Sequence, residues 1–135
     1  MLEGKSPISK VYADELVTAF IPLDPFTIGH TLVIPNKHSQ SIIEINEKTL
    51  MHMMKIAHKI ANSITHSKYK CEGVNLWLSD GEQAGQDVMH THLHVFPRYK
   101  GDSFSVTFHS DKEQSNRKFL DEVAEEIKAH LQSAL

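Results

Sequence analysis

Short apolar runs dominate the first third of the chain. Lys10–Ala13 and Leu16–Ile21 read as two short strands around a turn at Ala13-Asp14-Glu15, most economically a hairpin. Pro22, Asp24, Pro25 and Gly29 then break regular structure. His30–Pro35 resumes as a buried strand closed by proline, which cannot donate to a ladder. Further on the period lengthens: Leu50, Met53, Met54, Ala57, Ile60, Ala61 and Ile64 recur at three- and four-residue spacing behind Asn46, a good helix-capping residue. That stripe is expected to face the core.

In the second half, Gly73–Leu78 has strand character, and Ser79–Gln86 is a polar, glycine-bearing loop that feeds another strand from about Val88 to Arg98. A final helix is predicted from about Ser115. It carries Phe119, Leu120, Val123, Ala124, Ile127 and Leu131 on one face, with acidic residues early and Lys128 and His130 late. There are no repeats, low-complexity segments or linkers. The order of elements implies an α+β meander: an antiparallel sheet of about five strands, one long central helix and a C-terminal helix.

With 135 residues the chain has room for one ordinary domain, expected to span 1–135. Hydrophobic residues at 40% and charged residues at 23% are those of a soluble globular protein, and no apolar run reaches the roughly 18 residues of a spanning helix. No leader pattern opens the sequence, so no membrane association and a cytoplasmic location are expected. The single Cys71 excludes an internal disulfide and any Cys-x-x-Cys zinc site, as suits a reducing compartment. A formal charge of −3 argues against a general nucleic-acid binder, since phosphate backbones are held by clustered Lys and Arg. A phosphorylated ligand therefore needs a local site.

Ten histidines are the one compositional oddity. On a strand from Val88 to Arg98, His90, His92 and His94 would project to one side and Thr91, Leu93 and Val95 to the other. Such a row can bind a transition metal, or it can supply a nucleophile with neighbouring donors for nucleotidyl transfer. Spacing alone does not choose, and scattered histidines are usually just solvated. Next to the row, the loop Asp80-Gly81-Glu82-Gln83-Ala84-Gly85-Gln86 has glycines that allow close backbone approach and amides that could face an anion, although it could equally be only a tight turn. His30, at the start of its strand, could hydrogen-bond to the row or simply be exposed there.

Taken together, these segments resemble the histidine triad family. Gly85-Gln86-Asp87-Val88-Met89-His90-Thr91-His92-Leu93-His94-Val95-Phe96-Pro97-Arg98 is similar to its signature of histidines alternating with hydrophobic residues. Gly29–His38 resembles its upstream strand and Lys10–Asp14 its opening hairpin, so the likeness runs in order from Lys10 to Phe104. The ending Pro97-Arg98-Tyr99-Lys100-Gly101-Asp102 is similar to bacterial members and to dinucleoside polyphosphate hydrolases. The resemblance implies a homodimer whose central sheet continues across two protomers. It also implies a purine nucleotide ligand, such as AMP or a dinucleoside polyphosphate, with its α-phosphate beside the triplet. His92 would be the nucleophile that forms a covalent nucleotidyl-histidine. His94, Gln86 and loop amides, Gly85 among them, would donate to phosphoryl oxygens, and His90 and His30 would orient the rest.

Three positions depart from the family pattern. Pro22 stands where many relatives carry an Asp or Asn for the ribose, with Asp24 nearby as a substitute. Ser79 replaces a common amide residue, and Asp87 replaces a small hydroxyl residue. A carboxylate beside a phosphate is repulsive unless protonated, turned away or paired with a cation. Asp87 thus points to weak activity, to a divalent metal bridging it and phosphate, or to a different leaving group. No cofactor is otherwise required, and structural zinc is not expected, since only His38 and His90 match ligand positions. Two further readings stand beside the enzyme: a non-catalytic nucleotide-binding protein, and a metal-binding protein that uses the histidine row.

Overall fold

A computed structural model describes residues 8–135, so most of the polar opening segment lies outside the described residues. The chain divides after Phe104 into two compact units. The first holds β1 (Ser9–Ala13), β2 (Val17–Ile21), β3 (Thr31–Pro35), α1 (Glu47–Thr65), β4 (Gly73–Trp77) and β5 (Leu93–Arg98). Its strands form one five-stranded sheet in the order β1-β2-β3-β5-β4, with every neighbouring pair antiparallel. The α+β architecture follows the pattern read from the sequence.

The hairpin turn is held by Asp14, whose carboxylate accepts from the amides of Leu16 at 2.8 Å and Val17 at 2.9 Å. This is the local side-chain bond that makes aspartate a turn residue. Tyr12 and His52 also bond to Asp14, tying the turn to α1. Together these bonds hold the Asp14 carboxyl far below its usual range against the opposing effect of desolvation.

Asn46 caps α1 by accepting from the Lys48 amide at 2.9 Å. The helix buries Met53, Ile56, Ala57 and Ile60 against Val17, Ala19, Val33, Leu93 and Val95 of the sheet, each Val, Leu, Ile or Met side chain among them adding about 1.5–3 kcal/mol. The expected stripe is rotated in one respect: Met54 is exposed and Ile56 takes its place inside. Leu50 and Ala61 pack at the margin.

The sheet's other face bears a transverse row set by register, in which Phe20 pairs with Leu32, Leu32 with His94, and His94 with Trp77. His94 therefore lies on the side of the sheet away from α1. Gly29, just before β3, has φ +87°, and a Cβ there would stand 2.8 Å from the Ile64 side chain. Glycine is required at that entry.

In the second unit, Asn116 caps α2 (Arg117–Ala134) by accepting from the Phe119 amide at 2.9 Å. Its first turn carries no acidic residue and its last no basic one, so the expected dipole pattern is displaced inward. Among the described residues, no helix is long and apolar enough to cross a membrane.

Candidate active site

The triplet does not lie on one strand. β5 begins only at Leu93, and His90 and His92 precede it in irregular backbone. The cause is visible in β3. Continuing the pairing of Val33 with Leu93 would set Thr91 opposite Pro35, which has no N–H to give. The Thr91 amide instead donates to the Ser39 carbonyl at 2.6 Å, and the His90 amide closes back on Val88 at 2.8 Å. The expectation of three imidazoles on one face is thereby corrected: the rings of His92 and His94 meet edge to face with centroids 4.9 Å apart, whereas the His90 ring turns to His38.

Each ring's proton can be placed from its partners. His92 is buried, and its Nδ1 lies 2.8 Å from the His90 carbonyl. A carbonyl only accepts, so Nδ1 carries a hydrogen, and in the neutral ring the lone pair sits on Nε2. His94 is arranged the other way round. The Phe26 amide donates to His30 Nδ1 at 3.1 Å, so in neutral His30 the hydrogen sits on Nε2. That Nε2 lies 2.9 Å from His94 Nδ1, which must then accept. His94 is left with a hydrogen on Nε2. Within 5 Å of ring separation the site holds one outward lone pair and one outward N–H.

Both supporting rings stay neutral. Burial lowers the pKa of His30 to about 4, and burial followed by the neighbouring His92 and His30 lowers that of His94 to about 4. The Asp87 carboxylate opposes the shift at His94, which puts its charge within electrostatic reach of that ring. Phe26 stacks on His30, Phe96 packs tilted against His30 at 4.4 Å and stacks on His94 at 4.8 Å, completing the apolar wall.

His90 faces elsewhere: its Nε2 donates to the Pro35 carbonyl at 3.1 Å, and its Nδ1 lies 3.0 Å from His38 Nδ1. Burial pushes its pKa down. His38 and His90 are two donors, and among the described residues no three His, Cys, Asp or Glu side chains are grouped to hold a metal ion.

The loop half of the site looks inward. Gln86 is buried; its Oε1 accepts from the Gly81 amide at 2.8 Å, and its Nε2 donates to the carbonyls of Gln40 at 2.9 Å and Val88 at 3.1 Å. Both of its amide hydrogens are thus spent inside the protein, not presented to a ligand. The amides of Ala84, Gly85 and Gln86 likewise bond within the loop, around a single 3-10 turn that ends at Gly85 with φ +90°. The Ser79 hydroxyl accepts from the Trp77 indole at 2.9 Å. Asp87 and Asp24 are exposed, and neither makes an ion pair among the described residues; Pro22 is half-buried.

The Phe26 amide and the His90 carbonyl were not legible as site groups, because a backbone atom leaves no residue-type signal. A ring nitrogen with a lone pair beside a neutral donor pair can attack an electrophile that bears anionic oxygen. The HIT domain matches residues 3–101, and the chain belongs to the HIT family.

It is similar to a crystal structure of a HIT family protein from Bacillus anthracis, with 38% identity and a TM-score of 0.86 over 94% of this chain and 90% of that one. A zinc-bound histidine triad family protein from Mycobacterium smegmatis is 35% identical with a TM-score of 0.72, over 93% and 91% of the two chains. Adenylylsulfatase HINT3 of Arabidopsis thaliana is 32% identical over 85% of this chain and 61% of that protein, so the family includes hydrolases.

Proposed function

We propose that the protein is a nucleotide hydrolase or nucleotidyl transferase acting on the α-phosphate of purine nucleotide conjugates, either dinucleoside polyphosphates or adenosine phosphoramidates. The observation that carries this reading is the bond from His92 Nδ1 to the His90 carbonyl, which in the neutral ring puts the lone pair on Nε2, aimed away from its own backbone. In the first step Nε2 forms a bond to the α-phosphorus while the bond to the leaving group breaks, its electron pair departing with that group. Water then attacks the nucleotidyl-His92, the N–P bond breaks and the nucleoside monophosphate is released. Two modest barriers replace one high one. His94 Nε2–H donates to a phosphoryl oxygen where negative charge grows. His90 contributes its carbonyl and His30 the proton arrangement of His94.

Ser79, Gly85, Gln86 and Asp87 shape the loop around the phosphates, and Asp24, two residues on from Pro22, stands in for the ribose-binding residue absent there. The reading includes a homodimer joined through the sheet, supported by the edge strand β4, where Leu76 and Trp77 are 42% and 37% exposed. It requires no cofactor.

Rapid acid quench followed by mass spectrometry is expected to trap a nucleotidyl group on His92. His92→Ala should lose at least about 10³-fold in kcat. Full turnover by that variant would overturn the mechanism, and tight AMP binding with no turnover of either substrate class would assign the chain a non-catalytic binding role instead.

A further inference from the structure

Residues 22–29 cross the end of the sheet as a non-repetitive turn, and no side chain in it reaches the imidazole chain through a polar atom. Its backbone does. The Phe26 amide donates to His30 Nδ1 at 3.1 Å, and the turn that carries this amide is tied down on several sides. The His30 amide closes back on the Thr27 carbonyl at 3.1 Å, the Thr31 hydroxyl donates to the Gly29 carbonyl at 2.9 Å, and the Tyr99 hydroxyl donates to the Ile28 carbonyl at 2.7 Å. Tyr99 follows Arg98, whose guanidinium makes a two-pronged pair with Asp102 and donates to the Phe104 carbonyl. The Phe26 ring closes the arrangement by stacking on His30 and Phe96 and lying tilted beside Phe104. The amide is therefore a fixed donor.

A fixed donor at that point has a consequence two rings away. Neutral His30 and His94 share one hydrogen between Nε2 and Nδ1, so the pair has two proton arrangements. In one, both rings carry their hydrogens on Nε2; in the other, both carry them on Nδ1. The second would place two hydrogens between the Phe26 nitrogen and His30 Nδ1, and it would turn a lone pair of His94 towards any phosphoryl oxygen. We propose that the backbone amide of Phe26 is a positioning group for the reaction, which selects the arrangement in which His94 presents Nε2–H to the ligand. Phe26 acts through His30 and His94 and does not touch the reacting atoms.

This inference rests on the role assigned to His94 above, but its first test does not. Ring nitrogen shifts in a two-bond proton–nitrogen correlation spectrum of the ligand-free full chain distinguish the two tautomers of each histidine. The wild type is expected to show both His30 and His94 protonated on Nε2. Replacing Phe26 by its α-hydroxy acid, which turns the 25–26 amide into an ester and deletes only the N–H, should populate the Nδ1–H form of both rings. Phe26→Ala, which keeps the N–H and loses the ring, should leave the tautomers unchanged.

In turnover the ester variant should lose about 10- to 100-fold in kcat, a part of what one preorganised donor supplies, with KM within about threefold. A wild-type spectrum with His94 protonated on Nδ1, or an ester variant with unaltered tautomers, would overturn the proposal. Altered tautomers with unaltered kcat would also overturn it as a statement about the reaction. A protein that turns over no nucleotide but shows the expected tautomer change would instead count against the proposed function while leaving the amide's control of the rings intact.

Discussion

The two halves of the candidate site are built on opposite principles. On the strand side, His30, His92 and His94 sit in an apolar wall, and every ring nitrogen facing the protein has a named partner, so one lone pair and one N–H are left over. On the loop side, residues 79–87 are mostly exposed, yet the amides of Gly81, Ala84, Gly85 and Gln86 bond within the loop, the Gln86 side chain donates to the Gln40 carbonyl, and Ser79 accepts from the Trp77 indole. The strand half is ready before a ligand arrives. The loop half has its own shape and must exchange internal bonds for ligand bonds if it is to hold phosphate. Preorganised donors contribute most in the transition state, so the proposed function assigns chemistry to the first half and substrate choice to the second.

The largest test of that division is its asymmetry in kcat. His94→Ala removes the preorganised donor and should lower kcat by about 10²–10³-fold with a small change in KM. Gln86→Leu, which deletes three loop bonds, should act mainly on KM or on stability. Steady-state kinetics on one dinucleoside polyphosphate check both, and a larger kcat loss in Gln86→Leu than in His94→Ala would erase the distinction.

A second effect is expected in stability. Burial holds His30 and His94 at pKa values of about 4 in the folded chain, below the ordinary imidazole value of 6.5, so between these values the unfolded chain binds more protons. Stability therefore rises with pH across that window. The contribution is fully present above about 6.5 and is lost as pH falls towards 4. Because the two rings are hydrogen-bonded they titrate as a pair, and the combined loss is on the order of 1–3 kcal/mol. Asp14 and Asp102, whose carboxyls are held well below the usual range, add their own acid loss only beneath 3.8. Guanidinium denaturation midpoints should fall from pH 7 to pH 5, and less steeply in His30→Gln. A wild type equally stable at both values would mean that the pair is not buried as neutral rings.

How much of this was legible in the sequence follows the same division. Elements with a strong period, α1 behind Asn46 and the strands β1 to β4, could be placed to within a residue or two because apolar burial decides them. His94 was legible as a strand residue facing away from its apolar neighbours Leu93 and Val95. His90 and His92 were misplaced, since the alternating pattern continues past the point where Pro35 ends the ladder. Met54 and Ile56 exchanged places because a helix stripe read from spacing leaves its rotation open by one position. The proton arrangement was out of reach altogether, as it is set by the Phe26 amide and the His90 carbonyl, and every residue type supplies those atoms.

Asp87 provides the smallest and finest test, because it is the loop residue whose charge reaches into the strand half. Its carboxylate favours a proton on His94, against burial and the neighbouring imidazoles, and it makes no ion pair among the described residues. A polyphosphate substrate brings several negative charges towards this group, whereas an adenosine phosphoramidate brings fewer. At exposed sites one such charge pair is worth about 1 kcal/mol, or roughly fivefold in binding. Asp87→Asn should therefore lower KM for a dinucleoside polyphosphate about two- to fivefold, change KM for a phosphoramidate less, and leave kcat nearly unaltered. The gain should shrink as salt is raised, since screening acts on exposed charges. An equal gain for both substrates, or one indifferent to salt, would show that Asp87 acts through the loop's internal bonds and not through its charge.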